Sequence, residues 1–225
     1  TDGSLAILKS YAQKYPRIKV LENGQNRGLL FTRIRATLAA EGEYILCLDS
    51  DDELFPNIAE KALAAAKGTG ADIVFFQVEE IKRDGKRSLA RWLCNVPITG
   101  TARDAAEIPI MIEKEKMLWH LWGRLWRAEM IRNTAARFLD FASRNHIIYA
   151  EDMLLFYFTV KKAASYAVIS DVGHRYFRSH GGICHRNDPA TAKKKFADLE
   201  IVRRAIAADS DDWPGKKHFL RRIAK

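Results

Sequence analysis

Apolar positions along this chain alternate between a helical period and short unbroken runs. Leu5, Leu8, Tyr11, Ala12 and Tyr15 recur at helical spacing, with Asp2 or Ser4 placed to cap them. Ile18 and Val20 alternate within Arg17 to Leu21, which predicts a short strand ended by Glu22-Asn23-Gly24. A helix is predicted from about Gly28 to Glu41, with Leu29, Leu30, Ile34 and Leu38 on its apolar face and Gly42 as its stop. Tyr44-Ile-Leu-Cys-Leu48 is a continuous apolar run, the pattern of a strand buried on both faces. Pro56 opens the next helix, in which Ile58, Ala62, Leu63 and Ala66 face inward and Gly68 and Gly70 end it. Asp72-Ile-Val-Phe-Phe-Gln-Val78 reads as another strand. Strand–helix–strand passages with short connections predict an α/β fold with a mostly parallel, right-handed sheet flanked by helices.

Beyond Ile81 the pattern loosens. Asp84-Gly85 predicts a hairpin between two ragged strands. Residues 103–117 read as a helix bent near Pro109. The stretch Trp119 to Arg127 is dense in aromatic and basic side chains, and the spacing of Trp119, Trp122 and Trp126 fits a buried helical face. Glu151 to Lys162 predicts an amphipathic helix, of which the apolar stretch Met153 to Val160 reads as buried, and Tyr166 to Ile169 and Gly173 to Arg178 predict strands. From Pro189 the chain reads as wholly helical. The only boundary is placed there, giving a domain over 1–188 and a basic helical extension over 189–225.

Composition narrows the class. A chain of 225 residues with 48% hydrophobic positions can bury a substantial core, and no apolar run approaches the ~20 residues of a membrane-spanning helix. Cys47, Cys94 and Cys184 lie far apart and fit neither a zinc spacing nor a disulfide framework, which points to a reducing, cytoplasmic setting. The net charge of +9 favours an anionic partner. Much of it sits late, in Lys193-Lys194-Lys195, Arg203-Arg204, Lys216-Lys217 and Arg221-Arg222. No nucleic-acid-binding motif accompanies it, so the readings are a solvated helix face or peripheral contact with the inner face of a membrane. No signal peptide is expected. The opening Thr1-Asp2-Gly3-Ser4 is a turn of the kind that follows a strand, and reads as the start of a fragment.

The strongest candidate chemistry follows the first apolar run, at Asp49-Ser-Asp51-Asp52. Carboxylates at the C-terminal end of a strand stand where open α/β sheets bind ligands. In an extended chain Asp49 and Asp51 point to one side. Such crowding is costly unless donors or a cation offset it, and a hard divalent ion, Mg²⁺ or Mn²⁺, suits oxygen ligands. The competing reading is an acidic turn that caps the helix at Pro56 through Asp52 or Glu53. A buried strand ending in Asp-x-Asp also resembles the opening of haloacid-dehalogenase phosphatases, in which Asp49 would be the nucleophile.

Several segments taken in order resemble glycosyltransferase family 2, enzymes of the GT-A fold that move a sugar from a nucleotide donor to an acceptor hydroxyl. Thr1-Asp2-Gly3-Ser4 is similar to the end of that family's first acidic motif. Asn26-Arg-Gly28 with Arg33, then Gly42-Glu-Tyr-Ile and Asp49-Ser-Asp51-Asp52, is similar to the block leading into its DXD motif. Trp122-Gly-Arg-Leu-Trp-Arg127, Glu151-Asp152-Met-Leu-Leu-Phe, and Tyr176-Phe-Arg178 with Gly181-Gly182 complete the pattern.

The resemblance implies a GT-A-like nucleotide-sugar-binding sheet that lacks its amino-terminal strands. It further implies a transferase, inverting as in the family, that works in surface-polysaccharide or lipid-linked glycan synthesis. Asp51, assisted by Asp52, would hold Mn²⁺ or Mg²⁺; Asp49, Arg33 and Arg178 would face the donor, a UDP-sugar. Asp152 would be the general base, with Glu151 as its alternate, and Trp122 would stack on the acceptor. His180 is a further candidate for the ion. The residues alone leave Asp152 open as a plain first-turn acid. The strands missing before Thr1 also leave open a non-catalytic remnant, or a homodimer that repairs an uncovered sheet edge.

Overall fold

The computed structural model describes residues 2–91, 95–114, 116–178, 186 and 188–223. Its helices are α1 (Ser4–Lys14), α2 (Leu29–Ala39), α3 (Ile58–Thr69), α4 (Ile108–Glu113), α5 (Ala128–Arg144), α6 (Glu151–Val160), α7 (Pro189–Ala207) and α8 (Lys216–Ile223). Its strands are β1 (Tyr44–Leu46), β2 (Glu53–Leu54), β3 (Ile73–Ile81), β4 (Arg87–Leu89), β5 (Arg103–Asp104), β6 (Arg124–Arg127) and β7 (Ser165–Phe177). The α/β class and the helical layers follow the sequence pattern, but the mostly parallel sheet does not. Among the described residues only the β3–β7 pairing is parallel and the other five are antiparallel, because strands from distant segments insert beside the local ones.

The sheet runs β1-β6-β3-β7-β2, with β4 added to β3 and β5 to β7. β3 and β7 pair in parallel from Ile73↔Tyr166 to Ile81↔Phe177. β6 runs antiparallel between β1 and β3. The expected strand–helix–strand passage from β1 through α3 to β3 therefore keeps its parallel sense but skips one position. Local periodicity could not show a strand inserted from some fifty residues downstream.

Alternation along β3 divides the core into two layers. Ile73 and Phe75 enter the layer beneath α2, α5 and α6, while Val74 and Phe76 enter the layer beneath α3. α6 is apolar on every side, and Met153 through Val160 are all buried, so it lies inside the molecule and is not amphipathic as expected. α5, unassigned by the sequence reading, covers β1 and β6. Val202, Ile206 and Phe219 of α7 and α8 join the same core as Trp126 and Phe156, so residues 189–223 pack as part of one body.

Other expectations change with context. Arg17 to Leu21 forms no strand, because no strand among the described residues lies beside it. The tryptophan segment is not helical: Trp122 bridges to Cys47, and Trp126 lies in β6 with its indole N–H donated to the Leu121 carbonyl at 2.9 Å. Pro109 starts α4 rather than bending a longer helix, since residues 103–107 form β5 and a 3-10 turn. The two strands predicted within 166–178 are one strand, β7, whose pairing shifts register opposite Phe75 to Val78.

Candidate active site

The site is assembled by two segments meeting around Arg33 of α2, the stretch after β1 and the start of α6. Its guanidinium donates to Asp49 Oδ1 at 2.6 Å and to Glu151 Oε1 at 3.1 Å. Asp49 ends the segment after β1, and Glu151 begins α6, so one side chain joins acids that are far apart in sequence. Asp152 stands beside them in the first turn of α6, where the helix dipole favours a carboxylate. Burial works against the charge on Arg33, but Glu151, Asp49 and Asp152 more than offset it and hold its pKa above the usual range. Burial likewise raises the pKa of Glu151, reinforced by Asp152 and opposed by Arg33. Asp152 is raised by burial and drawn back by Arg33 and by the Met153 amide. The outcome is a pair of carboxyl groups that give up their protons closer to neutrality than ordinary acids do.

The Asp49–Asp52 loop is anchored on β7, beside the edge strand β2. The Asp52 side chain is 1% exposed. Its Oδ1 accepts the Phe177 amide at 3.0 Å, and its Oδ2 pairs with His174 Nε2 at 2.9 Å. Next to it β2 pairs with β7, Leu54 opposite His174. Asp52 and Glu53 do not cap α3, whose N-cap is Asn57. The structure thus removes the helix-capping reading of the cluster. Asp52 secures the loop, and Asp51 is left exposed at its turn.

Trp122 is 7% exposed; its ring stacks on His174 at 4.5 Å and on Tyr176 at 5.3 Å, with His120 at 4.0 Å. It lies in the packed layer under the Asp52–His174 pair, not as an open platform for a sugar. Burial, with Arg124 and His174 nearby, lowers the His120 pKa well below its usual value, so that ring is neutral. Arg178 is half-exposed and bonded to the buried Glu80. Burial pushes the pKa of the Cys47 thiol up to about 11, and the residue packs, partly buried, against the core. His180 and Gly181-Gly182 lie outside the described residues.

Among the described residues no three His, Cys, Asp or Glu side chains gather into a preformed cation cage. Mg²⁺ and Mn²⁺ sites on nucleotides need no such cage, because phosphates and water complete one or two carboxylates. Exposed Asp51, with the Asp49 oxygen that Arg33 does not take, fits that donor set. A cavity of about 410 Å³ between Ile98, Arg103, Ile110, Lys114 and Tyr166 lies apart from all these acids.

Sequence reasoning missed His174 as the partner of Asp52. A histidine in a strand carries no periodic signal, and only tertiary packing brings it to the acid.

This arrangement of sheet, helices and strand-end acids is a GT-A-like α/β fold. TarS from S. aureus in complex with UDP-GlcNAc superposes with a TM-score of 0.62, over 100% of this chain and 60% of that one, at 17% identity. The same protein in complex with UDP gives 0.61 at 18% identity, over 100% of this chain and 58% of that one. The profile of glycosyl transferase family 2 matches residues 1–119, more than half of the chain, and the chain belongs to that family. A relative in Borreliella burgdorferi, cholesterol galactosyltransferase, is 26% identical over 81% of this chain and 50% of its own length. The chain thus spans about half the length of that relative. Family membership leaves the haloacid-dehalogenase alternative without support.

Proposed function

We propose that the protein transfers a sugar from a nucleoside-diphosphate donor, most simply a UDP-sugar, to an acceptor hydroxyl. The observation that carries this is Arg33 joining Asp49 of the DXD loop to Glu151, with Asp152 alongside. Asp152 takes the proton from the acceptor hydroxyl. The freed oxygen bonds to the anomeric carbon, and the bond from that carbon to the diphosphate oxygen breaks. The electron pair leaves with the nucleoside diphosphate. A single in-line displacement of this kind inverts the anomeric centre.

Asp51 and Asp49 would hold Mn²⁺ or Mg²⁺, which supplies charge neutralisation on the leaving diphosphate. Arg178, oriented by Glu80, is the cation assigned to the donor. Asp52 acts through the loop that presents Asp51. The acceptor is assigned to a glycan or lipid-linked alcohol. No helix among the described residues is long and apolar enough to cross a membrane, and the late basic residues are the assigned peripheral contact.

The test is transfer from UDP-sugars by the full-length protein with Mn²⁺, compared with Asp152→Asn. The variant is expected to lose at least about 1,000-fold in kcat while binding UDP normally. Normal turnover by that variant would remove Asp152 from the mechanism.

A further inference from the structure

We propose that α7 belongs to the working site: Asp198 is a positioning residue that fixes the 145–150 loop and, through it, the Glu151–Asp152 pair. This rests on the reading of Asp152 as the base. Asp198 is fully buried, and its Oδ2 accepts the Ile148 amide at 2.9 Å. Its Oδ1 is held by Lys194, one turn earlier in the same helix, and Lys194 also donates to the His146 carbonyl. From the opposite side, the Ile147 carbonyl accepts the amides of Leu29 at 2.8 Å and Leu30 at 3.1 Å, the first residues of α2. His146 Nε2 lies 3.0 Å from Asn26 Oδ1. Three consecutive residues are therefore gripped between α7 and the start of the helix that carries Arg33.

The grip has something to hold. Ala150, the N-cap of α6, has φ 61° and ψ 14°, a left-handed conformation that disfavours any residue with a Cβ. It is only 7% exposed. Such a conformation persists where its surroundings over-determine it. Here it turns the chain so that Glu151 reaches Arg33 and Asp152 follows it into the site. A buried carboxylate on a backbone N–H makes a stronger bond than a neutral acceptor would, which suits a loop under strain. Lys194, one-third exposed, offsets the charge, so the buried Asp198 is not an unbalanced ion.

The experiment compares Asp198→Ala, Asp198→Asn and Val202→Ala in the full-length protein. Val202 is buried on α7 and makes no hydrogen bond to the loop, so it reports simple loosening of the helix. Asp198→Ala should lower kcat about 100-fold, as small misplacements of a reacting group do, with the donor KM little changed. Asp198→Asn keeps an oxygen for the Ile148 amide and should restore most of the rate. Val202→Ala should lower the melting temperature yet keep kcat. Wild-type kcat in Asp198→Ala, or an equal loss in Val202→Ala, would overturn the proposal. Hydrogen exchange of amides 146–153 reads the grip without turnover, and it should quicken in Asp198→Ala alone. Quickened exchange in a protein that transfers no sugar would uphold the grip and sink the transferase reading; unchanged exchange overturns the grip whatever the activity.

Discussion

Arg33 and Glu151 lie 118 positions apart and share a hydrogen bond, so the charge on each depends on packing that neither segment encodes alone. Glu151 has a pKa raised in the folded state by burial, so its stabilising contribution is full below the ordinary glutamate pKa. That contribution is lost as pH rises through the raised value. Glu151→Gln cannot titrate and keeps an oxygen for Arg33. Its melting temperature relative to wild type should therefore climb between about pH 5 and about pH 8, as measured by thermal denaturation at both. A constant difference would show that Glu151 titrates normally. His174 makes a second residue-scale prediction. His174→Leu would leave the buried Asp52 oxygen without its partner and should cost about 2 kcal/mol in urea denaturation. UDP affinity should fall with it, since the loop bearing Asp51 loosens. The sequence displayed Asp49, Asp51, Asp152 and Arg33 as candidates. It could not show that Asp52 turns inward or that Trp122 is covered, because both depend on where His174 of β7 comes to rest.

At the scale of elements, α2 meets the 145–150 loop at a glycine. Gly28 has φ 83°, and a Cβ there would lie 2.7 Å from the Ile147 carbonyl oxygen. Both backbone strain and collision with a fixed backbone atom oppose any side chain. Gly28→Ala should destabilise the protein by more than about 1 kcal/mol in chemical denaturation, and should slow transfer by displacing the loop that leads to Asp152. An alanine variant of wild-type stability would show that this approach is slack. Helices α2 and α3 and strand β3 were legible because their apolar spacing is local. β1 and α6 were legible as elements only, since β1 spans just Tyr44–Leu46 and is half-buried, with Leu48 exposed, and α6 is buried on every side. The inserted β6, the single long β7 and the absent strand at 17–21 were not, because a strand exists only with a neighbour to bond. α1 shows the same dependence: its helical period is real, yet none of its residues is buried.

At the scale of the molecule, the C-terminal helices complete the core instead of trailing from it. Phe219 of α8 is fully buried, with ring centroids 5.3 Å from Tyr157 and 5.8 Å from Trp119. Asp209, just past the end of α7, accepts the Tyr157 hydroxyl at 2.9 Å and pairs with Lys161, whose side chain is buried. Phe219→Ala should cost about 3 to 5 kcal/mol and lower a single cooperative unfolding transition. Two separate transitions, with only the smaller one affected, would restore a boundary near residue 189. By itself the sequence determined the α/β class, the family, and the two acidic clusters, since local periodicity and motif order are written in neighbouring residues. Tertiary structure alone decided that Arg33 bridges those clusters, that Asp52 faces inward, and that α7 reaches the loop before Asp152. Each of these is a contact between distant segments, and only the burial of shared apolar surface brings them to one place.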